Sequence, residues 1–257
     1  MILELKNVTK SFPGQQGLIS RPGRVFNALD NVSFKVDEFT TLGIVGESGS
    51  GKTTLAKIIL DLIPLTSGEV IFNRELIGDF RKDVQIIFQN PYNSLDPKMR
   101  IKEMLFEPLS IHKIAHGSAR LKKAIELLQM VEMDETALNR YPAEFSGGQR
   151  QMICIARALA SEPRLLVLDE PVSSLDLTIQ ARILELLARL KQKFRLTYIF
   201  ISHNLGVVKY MADSVAVMRE GKVVELAKAG DIFSSPGQDY TKRLLEAAAL
   251  SPSVVAS

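Results

Sequence analysis

A glycine-rich segment, GESGSGKT from Gly46 to Thr53, constrains this chain more than any other stretch. It has the full G-x-x-x-x-G-K-[ST] spacing, in which the glycines let backbone N–H groups turn inward around nucleotide phosphates. The apolar run LGIV before it predicts a buried strand, and the spacing of TTLAKIILDLI after it predicts a helix. A phosphate-binding loop between a strand and a helix indicates a protein that binds ATP or GTP.

The residue types in this loop indicate what its members do. Lys52 is expected to reach the β- and γ-phosphates, and the Thr53 hydroxyl is expected to ligate Mg²⁺. The glycines serve the backbone, because they leave room for N–H groups to approach an anion. The predicted nucleotide-binding loop consists of Gly46, Glu47, Ser48, Gly49, Ser50, Gly51, Lys52, Thr53 and Thr54.

Two carboxylates follow the apolar run LLVL and end a predicted buried strand. Successive side chains of a strand point to opposite sides, so Asp169 can address the Mg²⁺ shell while Glu170 reaches the attacking water. A general base at Glu170 favours nucleotide hydrolysis over nucleotide sensing, because in-line attack on phosphorus needs an oriented, polarised water.

Two further polar residues stand at the ends of apolar strands. His203 follows TYIFIS and is a candidate to bind the γ-phosphate or to hold Glu170 and the water, with a structural histidine as the alternative. Gln89 ends VQIIF and is a candidate to sense Mg²⁺ or the water, with a surface amide as the alternative. The predicted catalytic residues are Glu170, His203, Gln89 and Lys52, and the predicted metal ligands are Thr53, Gln89 and Asp169.

A second anion-binding pattern, SGGQ, comes nearly a hundred residues after the first and begins a predicted helix, MICIARALA. Helix N-termini attract anions through unpaired N–H groups and the helix dipole. One triphosphate does not need two such cradles from a single domain, so Ser146, Gly147, Gly148 and Gln149 are predicted to serve a nucleotide on a facing protomer. An ordinary helix cap is the alternative.

Composition narrows the class of protein. The chain has 257 residues and a net charge of +3, with its basic residues spread out, so nucleic acid is not an expected partner. Cys154 is its one cysteine, which excludes an intrachain disulfide. We see neither a secretory signal nor an apolar run long enough to span a bilayer, and we expect a soluble or peripheral protein.

Hydrophobic patterning predicts alternating strands and helices, which favours a largely parallel sheet. A helical face is predicted at Leu121, Ile125 and Leu128, and no strand is predicted within 98–140. A longer helix carries the stripe Ile179, Ile183, Leu186, Leu190 and Phe194, and Pro13–Arg24 has the composition of a loop. Strands are predicted at 2–8, within 30–45, and at 84–88, 165–168 and 197–201, with a terminal hairpin at 214–227.

In this order the motifs resemble those of the ABC transporter ATPases. The matching segments are Walker A at 46–53, the Q-loop glutamine Gln89, FSGGQ at 145–149, Walker B ending in Glu170, the D-loop SSLD at 173–176, and the H-loop histidine His203. Three longer segments, 89–109, 140–151 and 231–247, are similar to the ATPase subunits of the oligopeptide, dipeptide and nickel importers, especially the F-type subunit.

The resemblance implies an α/β fold: a P-loop NTPase core with a mainly parallel sheet, an N-terminal antiparallel β subdomain and an inserted α-helical subdomain. It implies one ABC ATPase domain over 1–257, with the helical subdomain at about 98–160 and a C-terminal extension at about 228–257. It also implies an aromatic residue that stacks on adenine, which Phe12 matches best and for which Phe26 competes.

The implied function is ATP binding and hydrolysis, with Mg²⁺, to energise uptake of peptides, or of nickel or another small solute. The implied partners are a second ABC ATPase subunit, in a hetero- or homodimer, two transmembrane permease subunits and, indirectly, an extracytoplasmic solute-binding protein. The chain would then lie at the cytoplasmic face of the cell membrane. The alternatives are a soluble, non-transport ABC-type ATPase and a P-loop kinase, in which SGGQ would have no task.

Overall fold

The structure is a computed structural model that describes residues 1–13 and 26–249. Two short 3₁₀ segments, Glu135–Asn139 and Pro142–Glu144, accompany its longer elements. In chain order these are β1 (Leu3–Phe12), β2 (Phe26–Val36), β3 (Thr41–Val45), α1 (Lys52–Ile59), β4 (Ser67–Phe72), α2 (Phe80–Asp83), β5 (Val84–Ile87), α3 (Pro91–Ser94), α4 (Ile101–Ile111), α5 (Ser118–Met130), α6 (Gly147–Leu159), β6 (Leu165–Asp169), α7 (Leu177–Phe194), β7 (Thr197–Ile201), α8 (Leu205–Met211), β8 (Ser214–Arg219), β9 (Lys222–Lys228), α9 (Ala229–Ser234) and α10 (Asp239–Ala249).

The chain forms two compact units. The terminal unit comprises Met1–Ile77 and the described residues from Ile199 onward, and the central unit comprises Gly78–Tyr198. Most of the predicted loop Pro13–Arg24, and the last eight residues of the predicted C-terminal extension, lie outside the described residues.

The terminal unit contains an antiparallel sheet in which β1 lies between β2 and β4. Leu3 is the register partner of Val36 on one side and of Phe72 on the other. The sequence patterns did not predict β4, because SGEVIF shows no alternation of apolar and polar residues; in the structure its side chains are exposed or half-exposed throughout. Its Gly68 has φ +94°, and a Cβ there would lie 2.3 Å from the carbonyl oxygen of Asn7.

Parallel strand pairs occur in both units, as the strand and helix alternation predicts. In the terminal unit β3 pairs with β8 in parallel, and β8 pairs with β9 in the predicted antiparallel hairpin. In the central unit β5 pairs with β6 in parallel, with Ile87 opposite Leu168. Residues of β3 and β6 are buried along their whole lengths, as expected for parallel strands covered on both faces.

The central unit carries most of the long helices, and two predicted helix faces are partly wrong. In α5 the buried residues are Ala124, Leu127 and Leu128, whereas Leu121 is 48% exposed. In α7 the predicted stripe is buried from Ile183 to Leu190, but Phe194 at the last turn is 39% exposed. Helical spacing identifies an apolar stripe, but the neighbouring elements decide how much of it is covered.

Tyr198 on β7 forms a buried hydrogen bond to α7, and its contribution to stability can be measured. It is fully buried, and its hydroxyl donates a hydrogen bond of 3.0 Å to the Leu187 carbonyl. Burial raises the pKa of this phenol above its usual range, so the hydroxyl keeps its proton.

We predict that Tyr198→Phe lowers the free energy of unfolding by about 1 kcal/mol, because it removes a buried hydrogen bond and leaves the ring in place. Urea unfolding followed by circular dichroism measures this change. Tyr210→Phe is the matched control, because Tyr210 is 47% exposed, and it should leave stability unchanged. Equal effects of the two variants would contradict the role given to the Tyr198 hydroxyl.

Candidate functional site

The phosphate loop begins where the buried strand β3 ends, and two of its glycines are required by the backbone. Gly46 has φ +152°, and a Cβ there would lie 2.2 Å from the carbonyl oxygen of Met218 on β8. Gly51 has φ +105°, and a Cβ there would lie 2.5 Å from the carbonyl oxygen of Ala28. Neither space admits a side chain, so the neighbouring strands fix the path of the loop.

Lys52 heads helix α1 and holds the loop from within. The side chain is buried, and its ammonium donates hydrogen bonds of 2.8 Å to the Gly46 carbonyl and 2.9 Å to the Glu47 carbonyl. Ser50 is buried as well, and its amide donates to the Glu47 carbonyl at 3.2 Å. The loop therefore closes around a positive charge at a helix N-terminus, which suits an anion.

The outer residues of the loop are open. Glu47, Ser48, Gly49 and Thr53 are exposed, and Thr54 is half-buried. Gly49 has φ +82°, and a Cβ there would meet no atom within 4 Å. The space that a phosphate group needs beside the backbone is thus available at this position, and the hard oxygen of the Thr53 hydroxyl suits Mg²⁺.

Phe12 and Phe26 are register partners across β1 and β2. Phe12 is 37% exposed and Phe26 is 60% exposed, so each can offer a ring face to a ligand. The Lys10 ammonium lies 4.9 Å from the centroid of the Phe12 ring. Because the two residues are paired on neighbouring strands and both are exposed, both stay candidates for stacking on adenine.

His203 lies in the terminal unit with the phosphate loop. The Ser202 amide before it donates a 3.2 Å hydrogen bond to the carbonyl of Ile44, on the strand that leads into the loop. His203 itself is exposed, at the end of β7. The next residue, Asn204, caps α8 by accepting from the amides of Gly206 and Val207. The structure thus brings the predicted histidine to the same end of the strands as the loop.

Gln89 and Glu170, separated by 81 positions in the chain, meet in the central unit. The Gln89 Nε2 group donates a 3.0 Å hydrogen bond to Glu170 Oε2. Parallel pairing of β5 with β6 brings their carboxyl ends to one edge, just before these two residues. Asp169 ends β6 and is buried, whereas Glu170 is half-buried.

Glu170 also has an unusual backbone, with φ +51°. A left-handed conformation at a residue other than glycine costs free energy and is often found at functional sites. The conformation turns the chain sharply after the buried strand, so that the adjacent carboxylates take different environments. Sequence patterns gave no sign of this strain.

The SGGQ segment forms the cap of α6. The Gln149 amide donates to Ser146 Oγ at 3.3 Å, and the Ser146 amide donates to Gln149 Oε1 at 3.0 Å. This reciprocal pair is a capping box, which was the alternative interpretation of the segment. The cap orients the start of the helix and is compatible with an anion at its N-terminus.

The two glycines of this segment have different surroundings. A Cβ on Gly148 would lie 2.5 Å from Ile179 Cγ2 on α7, whereas a Cβ on Gly147 would meet Leu175 at an ordinary 3.4 Å. Gly148 is therefore required by helix packing. The sequence had suggested a different reason for this glycine, which was close approach of a phosphate. The Gln180 side chain fixes the adjoining SSLD loop by donating to the Leu175 carbonyl at 2.9 Å.

A cavity of about 910 Å³ in the central unit joins three of the predicted motifs. Tyr92 at its edge is 60% exposed, and the Arg150 guanidinium lies 4.1 Å from its ring centroid. The sequence patterns did not single out Tyr92 or Arg150, and they indicated Ile179 only as part of an apolar helix stripe. The motif residues that line the cavity are Gln89, Ser146, Gly147, Gly148, Ser174, Leu175 and Asp176.

Comparison with known proteins identifies the family of this chain. The family model described as ABC transporter matches residues 29–173, more than half of the chain. The chain belongs to the ABC transporter family. It is 43% identical to the oligopeptide transport ATP-binding protein OppF of Bacillus subtilis (strain 168), with 96% of this chain and 82% of that protein covered.

A second relative and one solved structure are also similar to this chain. The glutathione import ATP-binding protein GsiA of Salmonella paratyphi A is 41% identical, with 96% of this chain and 41% of that protein covered. A solved structure of the ATP-binding cassette MJ0796, dimeric, in a post-hydrolysis state with ADP and Pi, is 30% identical with a TM-score of 0.74. That alignment covers 89% of this chain and 99% of the other.

Membership of the ABC transporter family confirms the predicted fold class and the prediction of an ATP-binding ATPase domain. It does not support the P-loop kinase, and the named relatives favour the transporter interpretation over a soluble, non-transport ATPase. Among residues 1–13 and 26–249, no helix combines the length and the apolar character that crossing a membrane requires.

We predict that Gly148→Ala destabilises the protein by about 1–3 kcal/mol, because the new methyl group overlaps Ile179. Thermal unfolding of the single and double variants measures this cost. In an Ile179→Ala background the overlapping Cγ2 atom is absent, so Gly148→Ala should then cost little. Gly147→Ala is the matched control and should be nearly neutral; the same cost for Gly148→Ala in both backgrounds would contradict the packing argument.

Proposed function

We propose that this chain is the ATP-binding and ATP-hydrolysing subunit of an ABC importer that energises uptake of peptides through separate membrane subunits. The names of its relatives, which include oligopeptide and glutathione transport proteins, support this class of solute. Uptake of nickel or another small solute is the second candidate, because the tail and Q-loop segments resemble the wider importer family.

In this proposal the phosphate loop from Gly46 to Thr54 binds the triphosphate of ATP, and Lys52 supplies the positive charge for the β- and γ-phosphates. Phe12 or Phe26 stacks on adenine. Thr53, Gln89 and Asp169 would hold Mg²⁺, and their hydroxyl, amide and carboxylate oxygens are the donors that this ion prefers. Bound Mg²⁺ would neutralise charge on the phosphates.

We assign hydrolysis mainly to polar residues that follow strands β5, β6 and β7. Glu170 acts as the general base that takes a proton from the attacking water, Gln89 orients the Glu170 carboxylate, and His203 contacts the γ-phosphate. The hydrogen bond from Gln89 to Glu170 carries this proposal, because it gives the base a fixed orientation after a buried strand. Lys52 completes the proposed catalytic set.

The signature segment, Ser146 to Gln149, is proposed to contact a nucleotide held by a second ABC ATPase subunit, in a hetero- or homodimer. Its position at an α6 N-terminus, in a different unit from the phosphate loop, supports a separate task. The other proposed partners are two transmembrane permease subunits and, indirectly, an extracytoplasmic solute-binding protein. The protein would thus work peripherally at the cytoplasmic face of the membrane, without nucleic acid.

We also propose that 1–257 acts as a single ABC ATPase domain. This domain would comprise a helical subdomain at about 98–160 and a C-terminal extension at about 228–257. Helices α4, α5 and α6 fall within the first of these ranges, and α9 and α10 fall within the second.

We predict that Glu170→Gln preserves ATP binding and slows hydrolysis by about 10²–10⁴-fold, because the amide keeps the shape of the carboxylate but is not a base. Phosphate release and equilibrium binding of a fluorescent ATP analogue measure the two effects separately. Lys52→Ala is the contrasting variant and should weaken binding itself. Normal turnover by Glu170→Gln would remove this residue from the mechanism.

The same Glu170→Gln variant tests the transport function in cells that lack the native chain. Wild type should restore uptake of a labelled oligopeptide, and Glu170→Gln should not, although it binds ATP. Labelled nickel measured in parallel distinguishes the second candidate. Loss of neither solute with the variant would contradict an importer of either class.

Mixing two inactive variants tests whether SGGQ completes a neighbour's site. We predict that Lys52→Ala and Gly147→Asp are each nearly inactive, since Gly147→Asp places a negative charge at the α6 N-terminus. Their heterodimer has one doubly damaged site and one site with an intact loop and an intact signature, so ATPase activity should partly return. Mixed dimers that form but stay inactive would contradict a composite site, given a wild type that is active alone.

A further inference from the structure

The C-terminal helix α10 lies against the outer side of the phosphate loop. A cavity of about 450 Å³ in the terminal unit has loop residues on one wall and α10 residues on the other. The lining residues include Glu47, Ser48, Tyr240, Arg243 and Leu244. This helix belongs to the tail that sequence analysis noted as family-like but to which it gave no task.

Tyr240 makes the contact between this helix and the loop. Its hydroxyl oxygen accepts a hydrogen bond of 3.4 Å from the Glu47 amide, across 193 positions of sequence. The Arg219 guanidinium lies 5.0 Å from the centroid of its ring, which limits how the ring can turn. Burial raises the pKa of the Tyr240 phenol, so it is neutral near pH 7 and its oxygen can accept while its proton is retained.

Glu225 on β9 fixes the start of the same helix. Its carboxylate accepts from the Gly237 amide at 2.7 Å, from the Gln238 amide at 3.2 Å and from the Thr241 hydroxyl. Burial opposes ionisation of Glu225, but these hydrogen bonds outweigh it and lower the pKa, so the group is a carboxylate at neutral pH. A carboxylate that accepts from amides at a helix N-terminus stabilises the helix there.

Glu47 connects this outer support to the catalytic lysine. Its amide is the group that Tyr240 accepts from, and its carbonyl accepts from the Lys52 ammonium at 2.9 Å and from the Ser50 amide at 3.2 Å. Movement of Glu47 therefore changes the surroundings of the charge that serves the phosphates. Glu47 is itself exposed, so contacts of this kind decide its position.

We propose that Tyr240 is a positioning residue of the ATP site, which holds Glu47 from outside the phosphate loop and thereby raises the affinity of the loop for ATP. Glu225 supports it by fixing α10. The inference rests on ATP binding at this loop and adds a residue far along the chain to its machinery. It assigns the C-terminal helix a task in nucleotide affinity rather than in the hydrolytic step.

The test is a titration of the full-length chain with a fluorescent ATP analogue, accompanied by steady-state ATPase kinetics with the partner subunit where activity needs one. Tyr240→Phe should raise Kd and KM for ATP about threefold with kcat unchanged, because it removes one long hydrogen bond and keeps the ring on Arg219. Glu225→Ala should raise both about tenfold, since it releases the start of the helix.

Coupling between the two positions separates this proposal from a general loss of stability. The double variant should bind ATP no more weakly than Glu225→Ala alone, because both changes act through α10. Glu246→Ala, on an exposed position of the same helix, is the control and should match wild type. Tyr240→Phe should also keep the wild-type unfolding temperature.

Three results would overturn the proposal: wild-type affinity in Tyr240→Phe, a fall in kcat with KM unchanged, or fully multiplicative effects in the double variant. A wild-type chain that fails to bind the ATP analogue would instead refute the proposed function, since the inference presupposes a working loop. Binding by wild type together with an unaffected Tyr240→Phe would refute only the positioning role.

Discussion

A buried ammonium group organises the phosphate loop. Lys52 stands at the start of α1, is 7% exposed, and donates to the carbonyls of Gly46 and Glu47. Desolvation of a charge is costly unless the charge finds polar partners, and the loop supplies such partners from its own backbone. The loop can wrap this closely because Gly46 and Gly51 pass beside neighbouring carbonyl oxygens where no side chain fits. The same glycines that allow the loop to wrap closely therefore also bring its carbonyl oxygens to the ammonium group.

Glycine is required in both the phosphate loop and the signature segment, but for two different physical reasons. In the phosphate loop, Gly46 and Gly51 have positive φ and lie close to backbone atoms. In the signature segment, Gly148 has an ordinary helical backbone but packs directly on Ile179. Close packing at this point joins α6 to α7, the helix that follows the SSLD loop.

Sequence patterns predicted helices and strands well where apolar residues form a continuous run or recur at regular spacing. Strand β7 was predicted at the residues where it occurs, because TYIFI consists of β-branched and aromatic residues. Strand β4 was missed, since it shows no alternation of apolar and polar residues and is held in the sheet by its pairing with β1. The candidate site residues could be predicted from the spacing of residues within short motifs. The contact of Tyr240 with Glu47 could not, because it joins positions 193 apart in the chain.

The candidate chemistry is divided between the two units. The terminal unit holds the phosphate loop, Lys52 and His203, and the central unit holds the bonded pair Gln89 and Glu170. Each set is held internally, by backbone carbonyls around the ammonium in one and by an amide to carboxylate hydrogen bond in the other. In the proposed mechanism, the groups that contact the phosphates through the loop, with the support from Tyr240, belong to the terminal unit, whereas the general base Glu170 and its partner Gln89 belong to the central unit. This division is the physical reason to expect that Lys52 and Tyr240 variants change ATP affinity while a Glu170 variant changes turnover.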